Sequence, residues 1–156
     1  MHSRVFNIKL IKKDEGLSFP TELDEMEIFE YMNGKADYCS EMDVRHSAED
    51  VKWAFDKIGS YDEDDVCVFP DQNKVEDLLA HRLNDVKQAA EMITLEGFSN
   101  MFDETTYRLE QLLTDSYGFY FYIEGWGLVA YIDLLRILSQ EKPTRIAIGQ
   151  VFDYHC

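Results

Sequence analysis

From residue 3 to residue 12 apolar side chains recur at alternate positions, with Phe6, Ile8 and Leu10 on one side and Lys9 on the other. Period-two alternation of this kind predicts a half-buried strand. Lys13-Asp14-Glu15-Gly16 reads as a turn, after which Thr21, with Asp24 three residues on, resembles a helix start. Leu23, Met26 and Phe29 follow at helical spacing as far as Asn33-Gly34 and form the expected inward face. Residues 35 to 46 show no period and are expected to be loop.

Ser47 is the expected cap of a second helix, with Asp50 at its third position, Val51, Ala54, Phe55 and Ile58 on one face, and Gly59 as the stop. A short apolar strand follows from Val66 to Phe69, closed by Pro70. Asn73 and Glu76 open the longest helix, where Val75, Leu78, Leu79, Leu83, Val86, Ala90 and Ile93 make one apolar face as far as Gly97. A further helix between Ser99 and Ser116 carries Met101, Phe102, Thr105, Leu109, Leu112 and Leu113 on one side. The short joint at Gly97 predicts that the two helices pair antiparallel.

Phe119 to Ile123 is rich in strand-forming aromatics, with Phe119 and Phe121 expected in the core and Tyr120 and Tyr122 facing solvent or a partner. Gly125-Trp126-Gly127 is expected to turn the chain into a central helix from Leu128 to Leu138. Arg145 to Tyr154 alternates, placing Ile146, Ile148, Phe152 and Tyr154 on one face. A strand, a helix and a strand this close together predict a right-handed crossover between parallel strands. The expected fold is therefore α+β: about four strands in a mixed sheet, near residues 3–12, 65–69, 118–124 and 144–154, packed against about five helices. No repeat or linker interrupts the chain, so a single domain over 1–156 is expected.

Composition supports a real core, since 156 residues contain 46% hydrophobic and 13% aromatic side chains. No apolar run reaches the about 18 residues of a membrane span, and the chain enters strand pattern directly after Met1. Cys39, Cys67 and Cys156 are odd in number and widely spaced, which favours reduced thiols and a cytoplasmic setting. The net charge is −16 and uneven: residues 1–13 hold four bases and no acid, residues 14–65 hold 17 acids against 4 bases, and residues 66–156 hold 14 against 7. Such a surface repels phosphate backbones and attracts cations, which excludes a basic nucleic-acid groove from the expectations.

Motifs for chemistry are weak throughout. Asp71 followed by Asp85 and Lys87 has the residue types of a metal-dependent nuclease, but Asp85 and Lys87 point about 200° apart around one helix. His155-Cys156 lacks converging partners for zinc and reads as a frayed tail, and Asp62 to Asp65 lacks the spacing of a calcium loop. His46-Ser47 reads as loop and cap in place of a nucleophile pair, and Gly125-Trp126-Gly127 as a tight turn in place of an anion cradle. No cofactor is implied, and no catalytic residue can be assigned. The function expected is that of an acidic module binding a cationic protein, such as an inhibitor, an immunity-type protein or a nucleic-acid mimic, through Asp62, Glu63, Asp64, Asp65, Asp24 and Glu25. An enzyme with an unrecognised carboxylate site and an assembly subunit are the alternatives.

Overall fold

A computed structural model describes residues 2–115 and 118–155, with the side chains of residues 44–46 excepted. Thirteen elements follow one another: β1 (His2–Ile11), α1 (Glu25–Met32), β2 (Tyr38–Glu41), α2 (Val44–Phe55), β3 (Gly59–Asp62), β4 (Cys67–Pro70), α3 (Gln72–Glu91), α4 (Leu95–Phe98), α5 (Glu104–Thr114), β5 (Tyr120–Ile123), β6 (Gly127–Ala130), α6 (Tyr131–Glu141) and β7 (Arg145–His155). The α+β class is as expected, with seven strands in place of about four and six helices in place of about five among the described residues.

The sheet runs β3-β4-β7-β1-β5-β6, with β2 beside β7. β1 lies at its centre, antiparallel to β7 and parallel to β5. The expected parallel crossover from β5 to β7 is therefore corrected. Since β1 separates them and runs with β5 but against β7, those two strands are antiparallel, and the parallel pair is β1–β5.

Both faces of the sheet are covered. Phe6, Ile8, Phe121, Ile123, Ile146 and Ile148 pack under α2, α3 and α6, while Val5, Tyr120, Phe152 and Tyr154 pack under α1. This corrects two expectations: β1 is buried on both sides at Val5, Phe6 and Ile8, and Tyr120 belongs to a second core instead of to solvent. A strand covered on both faces has no need of a polar side.

The expected single face of β7 is also divided, because of a bulge. Phe6 pairs with Val151 and Ile8 with Ile148, so Asn7 opposes both Gly149 and Gln150. The extra residue shifts the phase of β7, sending Ile146 and Ile148 into one core and Phe152 and Tyr154 into the other.

β2 and β4 follow one another along the same edge of β7. Glu41 pairs with Phe152 and Cys67 with Ala147, while Met42 N–H donates to Val151 O and Ile148 N–H to Val66 O across the interval. The chain leaves that edge after Met42, forms α2 and β3, and rejoins it at Val66.

Caps explain where the helices begin. Asp24, not Thr21, caps α1, and it completes a capping box with Glu27. Asp71 caps α3 through the amides of Asn73 and Lys74, ahead of the expected Asn73 start. α2 starts at Val44, so Ser47 is a buried residue within it and not its cap. Its face of Val51, Ala54, Phe55 and Ile58 is buried as expected. Gly59 does more than stop a helix, since a Cβ there would lie 2.0 Å from the Phe69 carbonyl oxygen.

The antiparallel helix pair is α3 with α5, joined by α4. Val75 and Ala89 are the buried residues of α3, whereas Leu83 and Ala90 are exposed. In α5 the inward side is Thr105, Leu109 and Leu112, and Met101, Phe102 and Leu113 are exposed. Gly125 and Gly127, at φ 89° and 81°, make the tight turn of the β5–β6 hairpin, so residues 127–130 are strand and not helix.

Candidate functional site

The bulge of β7 positions a segment that the hydrophobic pattern alone leaves undefined. Gln150 accepts the Leu23 N–H through Oε1 at 2.6 Å and donates to the Leu23 carbonyl through Nε2 at 2.9 Å. Asn7, also in the bulge, donates to the Thr21 carbonyl at 2.9 Å. Pro20 lies over Gly149, where a Cβ would come within 2.6 Å of its ring. The strand connection is thereby held against the sheet just before Asp24 turns it into α1.

Beyond this clamp, Leu23, Asp24, Glu25, Met26, Phe29, Cys39 and Glu41 surround a concavity of about 400 Å³ between α1 and β2. Glu25 Oε1 accepts the Glu41 N–H at 2.7 Å, tying α1 to β2, and Glu41 Oε2 accepts from Gln150. Asp24 accepts the Met26 N–H at 2.7 Å. Asp24 and Glu25 therefore accept backbone amides and Glu41 a side-chain amide, an arrangement suited to holding shape and negative potential.

Met26 and Phe29 were expected to face inward. Ile28 and Met32 do so instead, and Met26 is 61% exposed, with Phe29 also exposed. At about 100° per residue the mean direction of Met26 and Phe29 lies about 110° around the helix from that of Ile28 and Met32. Around the outward stripe, residues 14–32 contain seven acids and no base. Lys35, the next cation along the chain, lies over the Tyr120 ring at 5.1 Å. A hollow of mixed lining results, in which Leu23, Met26 and Phe29 stand beside the carboxylates of Asp24, Glu25 and Glu41.

Asp62, Glu63, Asp64 and Asp65 are elsewhere. They form the tip of the β3–β4 hairpin, where Asp62 Oδ1 accepts the amides of Asp64 at 3.0 Å and Asp65 at 3.3 Å. The loop expected between a helix and a strand is thus a strand-to-strand turn, with Glu63, Asp64 and Asp65 exposed. Glu63 also borders a smaller hollow of about 200 Å³ with Ser47, Tyr61, Val66 and Gly149. Along β7 the partners of Glu41 and Cys67 lie five positions apart, so β2 and the start of β4 are separated by about 17 Å along one sheet edge.

The remaining candidates resolve into local structure. Asp71 is a helix cap, and Asp85 and Lys87 are exposed on α3. His155 is the last residue of β7, paired through Nδ1 with Asp37 Oδ1 at 2.8 Å, so the tail is not frayed at that point. Cys156 and the His46 side chain lie outside the described residues. Among the described residues no three His, Cys, Asp or Glu side chains gather as metal ligands. Asp37 and Asp103 have carboxyl groups held below the usual range, Asp37 by its hydrogen bond to His155 and Asp103 by that to Thr105. That is the opposite direction to the one a general acid requires.

The fold and the hollow define the class: an α+β protein with, among the described residues, no helix long and apolar enough to cross a membrane, carrying a concavity beside its sheet whose charged lining residues are acidic. No protein-family model matches the chain, and no curated protein or solved structure matches it.

Proposed function

We propose that this is a protein-binding module whose α1–β2 surface receives a cationic segment of another protein, anchored by an apolar side chain. One observation carries the proposal: Leu23, Met26 and Phe29 line a hollow whose charged neighbours from residue 14 to residue 32 are all acidic. Apolar anchors in a water-excluding ring supply affinity. Complementary fields supply rate, lifting association from about 10⁵–10⁶ to as much as about 10⁸–10⁹ M⁻¹s⁻¹ at low salt. A protein of this kind inhibits a basic cleft simply by occupying it. The exposed acids of the β3–β4 turn add to the field on the same sheet edge.

Fluorescence anisotropy with a labelled Lys-rich peptide bearing one central Phe tests the reading, with a neutral Ser-rich peptide of the same length and one Phe as the comparison. The basic peptide should bind more tightly, with affinity falling as salt rises. Met26→Ser with Phe29→Ser should weaken it about tenfold or more, and Glu22→Gln with Glu30→Gln should flatten the salt dependence. Equal affinity for both peptides, or binding indifferent to salt, defeats the proposal. Unchanged binding in the triple variant Glu63→Gln, Asp64→Asn, Asp65→Asn removes the hairpin turn from the site while leaving the hollow in it.

A further inference from the structure

The helical hairpin on the other face of the sheet presents a second surface. α3 is 20 residues long, about 30 Å, and α4 with its flanking turns forms the end of the hairpin, packed against α5. There Leu95, Phe98, Met101 and Phe102 are 70–93% exposed, with Met92 exposed beside them. Isolated exposed apolar residues are ordinary, but five large ones within eleven residues of chain are not.

The polar residues of this tip, exposed themselves, bond to its own backbone. Thr94 Oγ1 accepts the Gly97 N–H at 3.1 Å, Ser99 Oγ donates to Glu96 O at 2.8 Å, and Asn100 Oδ1 accepts the Phe102 N–H at 3.1 Å. Asp103 caps α5 by accepting the Thr106 N–H at 3.0 Å, and it also receives the Thr105 hydroxyl. A Cβ at Gly97 would stand 3.0 Å from the Asp103 carboxylate, so α4 is seated closely on that cap. The backbone is therefore ordered before any partner arrives, and the anchors lose little freedom on binding.

We infer that this tip is a docking knob that inserts Leu95, Phe98, Met101 and Phe102 into an apolar groove, rimmed by Lys or Arg, on a protein partner. Charge selects that occupant. Residues 87–108 hold four acids, Glu91, Glu96, Asp103 and Glu104, against two bases, Lys87 and Arg108, so the tip is net acidic. A second copy would bring the same acids and a further −16 against them, and anionic lipid would be repelled in the same way. A cationic groove rim is complementary to both the tip and the whole chain. This surface is separate from the α1–β2 hollow, which lies on the other side of the sheet.

The test uses the full chain with a photoreactive benzoylphenylalanine at position 102, irradiated in its native host, followed by reconstitution of any cross-linked species from purified components. Sedimentation of the chain alone and flotation with phosphatidylcholine vesicles, with and without phosphatidylserine, run beside it. The expected product joins position 102 to a protein segment holding apolar residues with Lys or Arg. Affinity of the purified pair should fall about thirtyfold in Phe98→Ser and in Phe102→Ser, and should decline with salt. Because both rings are exposed, the variants should keep the wild-type circular dichroism and thermal midpoint; Met26→Ser with Phe29→Ser should leave this affinity unchanged. Cross-linking to a second copy, flotation with vesicles, absence of any cross-linked protein, or a purified pair insensitive to both Phe substitutions would each overturn the inference.

Discussion

Asp115 joins three helices, and its removal should be the most informative test of how the hairpin is held to the sheet. Its backbone sits at φ 46°, ψ 51° and ends α5. Its Oδ2 accepts the Ile132 N–H at 2.9 Å, at the start of α6, where the cap position is Ala130 and supplies no side-chain bond. Its Oδ1 accepts from Arg82 Nη1 of α3 at 2.8 Å, and that guanidinium nitrogen also donates to Leu112 O at 3.0 Å. The two charged side chains are 21% and 19% exposed.

Asp115→Ala removes a helix cap worth about 1 kcal/mol. It also breaks an ion pair lying between the exposed class at about 0–1 kcal/mol and the buried class at about 3–5, so about 1–2 kcal/mol is assigned to it. Alanine tolerates the left-handed backbone less well than Asp, adding a few tenths or more. The total is about 3 kcal/mol, or a fall in thermal midpoint of about 6–12 °C for a domain of this size. Asp115→Asn keeps an oxygen for Ile132 and a residue suited to the left-handed region, and should lose about 1 kcal/mol. Urea unfolding followed by circular dichroism gives the stabilities, and exchange of the Ile132 amide gives the local effect. If Asp115→Ala cost no more than Asp115→Asn, or left Ile132 equally protected, the three-helix junction would not be held in this way. A cycle with Arg82→Ala should return a coupling of about 1 kcal/mol or more.

Gly59→Ala should destabilise by about 2–3 kcal/mol in urea unfolding, because its Cβ meets backbone at Phe69 that cannot swing aside, whereas Gly16→Ala, facing open space, should be neutral or slightly stabilising. Burial pushes the Cys39 thiol from 9.0 up to about 11, so mass spectrometry should find it alkylated by iodoacetamide at neutral pH about a hundredfold more slowly than a thiol of ordinary acidity. The Asp37 carboxyl, lowered by its hydrogen bond to His155, contributes its stabilisation at neutral pH and loses it as pH falls through that lowered value. In His155→Phe its NMR titration midpoint should rise toward 3.8, and an unmoved midpoint would deny the pair its role.

The long and apolar elements were readable from the chain. β1, β4, β5 and β7 stand close to their expected positions because strand-forming residues outlast the turns between them. β2, β3 and β6 were not readable: like β4 and β5 they are four residues each, but they lack the continuous run of strand-forming side chains and are defined by the neighbour that binds their backbone. Gly59-Ser60-Tyr61-Asp62 has no alternation to announce a strand; pairing with residues 67–70 makes it one. Helix faces failed where a helix is covered on only part of its surface, as with Met26 and Phe29 on α1 and Leu83 on α3. The acidity of the candidate site was legible by counting, including Asp24 and Glu25. Its apolar floor was not, because period alone does not say which of two stripes meets the sheet, and Glu41 reaches the site only through β2.

The central position of β1 sets an order on assembly during synthesis. Its ten residues are made well before its parallel partner at residues 120–123 and its antiparallel partner at residues 145–155. More than a hundred residues must therefore be made before the middle of the sheet can begin to close, and Val5, Phe6 and Ile8 wait in the meantime without the strands that bury them. Contacts this distant in sequence slow folding and prolong the exposure of apolar strand. β7 completes the sheet around β1, so β1 stays without its long antiparallel partner until residues 145–155 have been made.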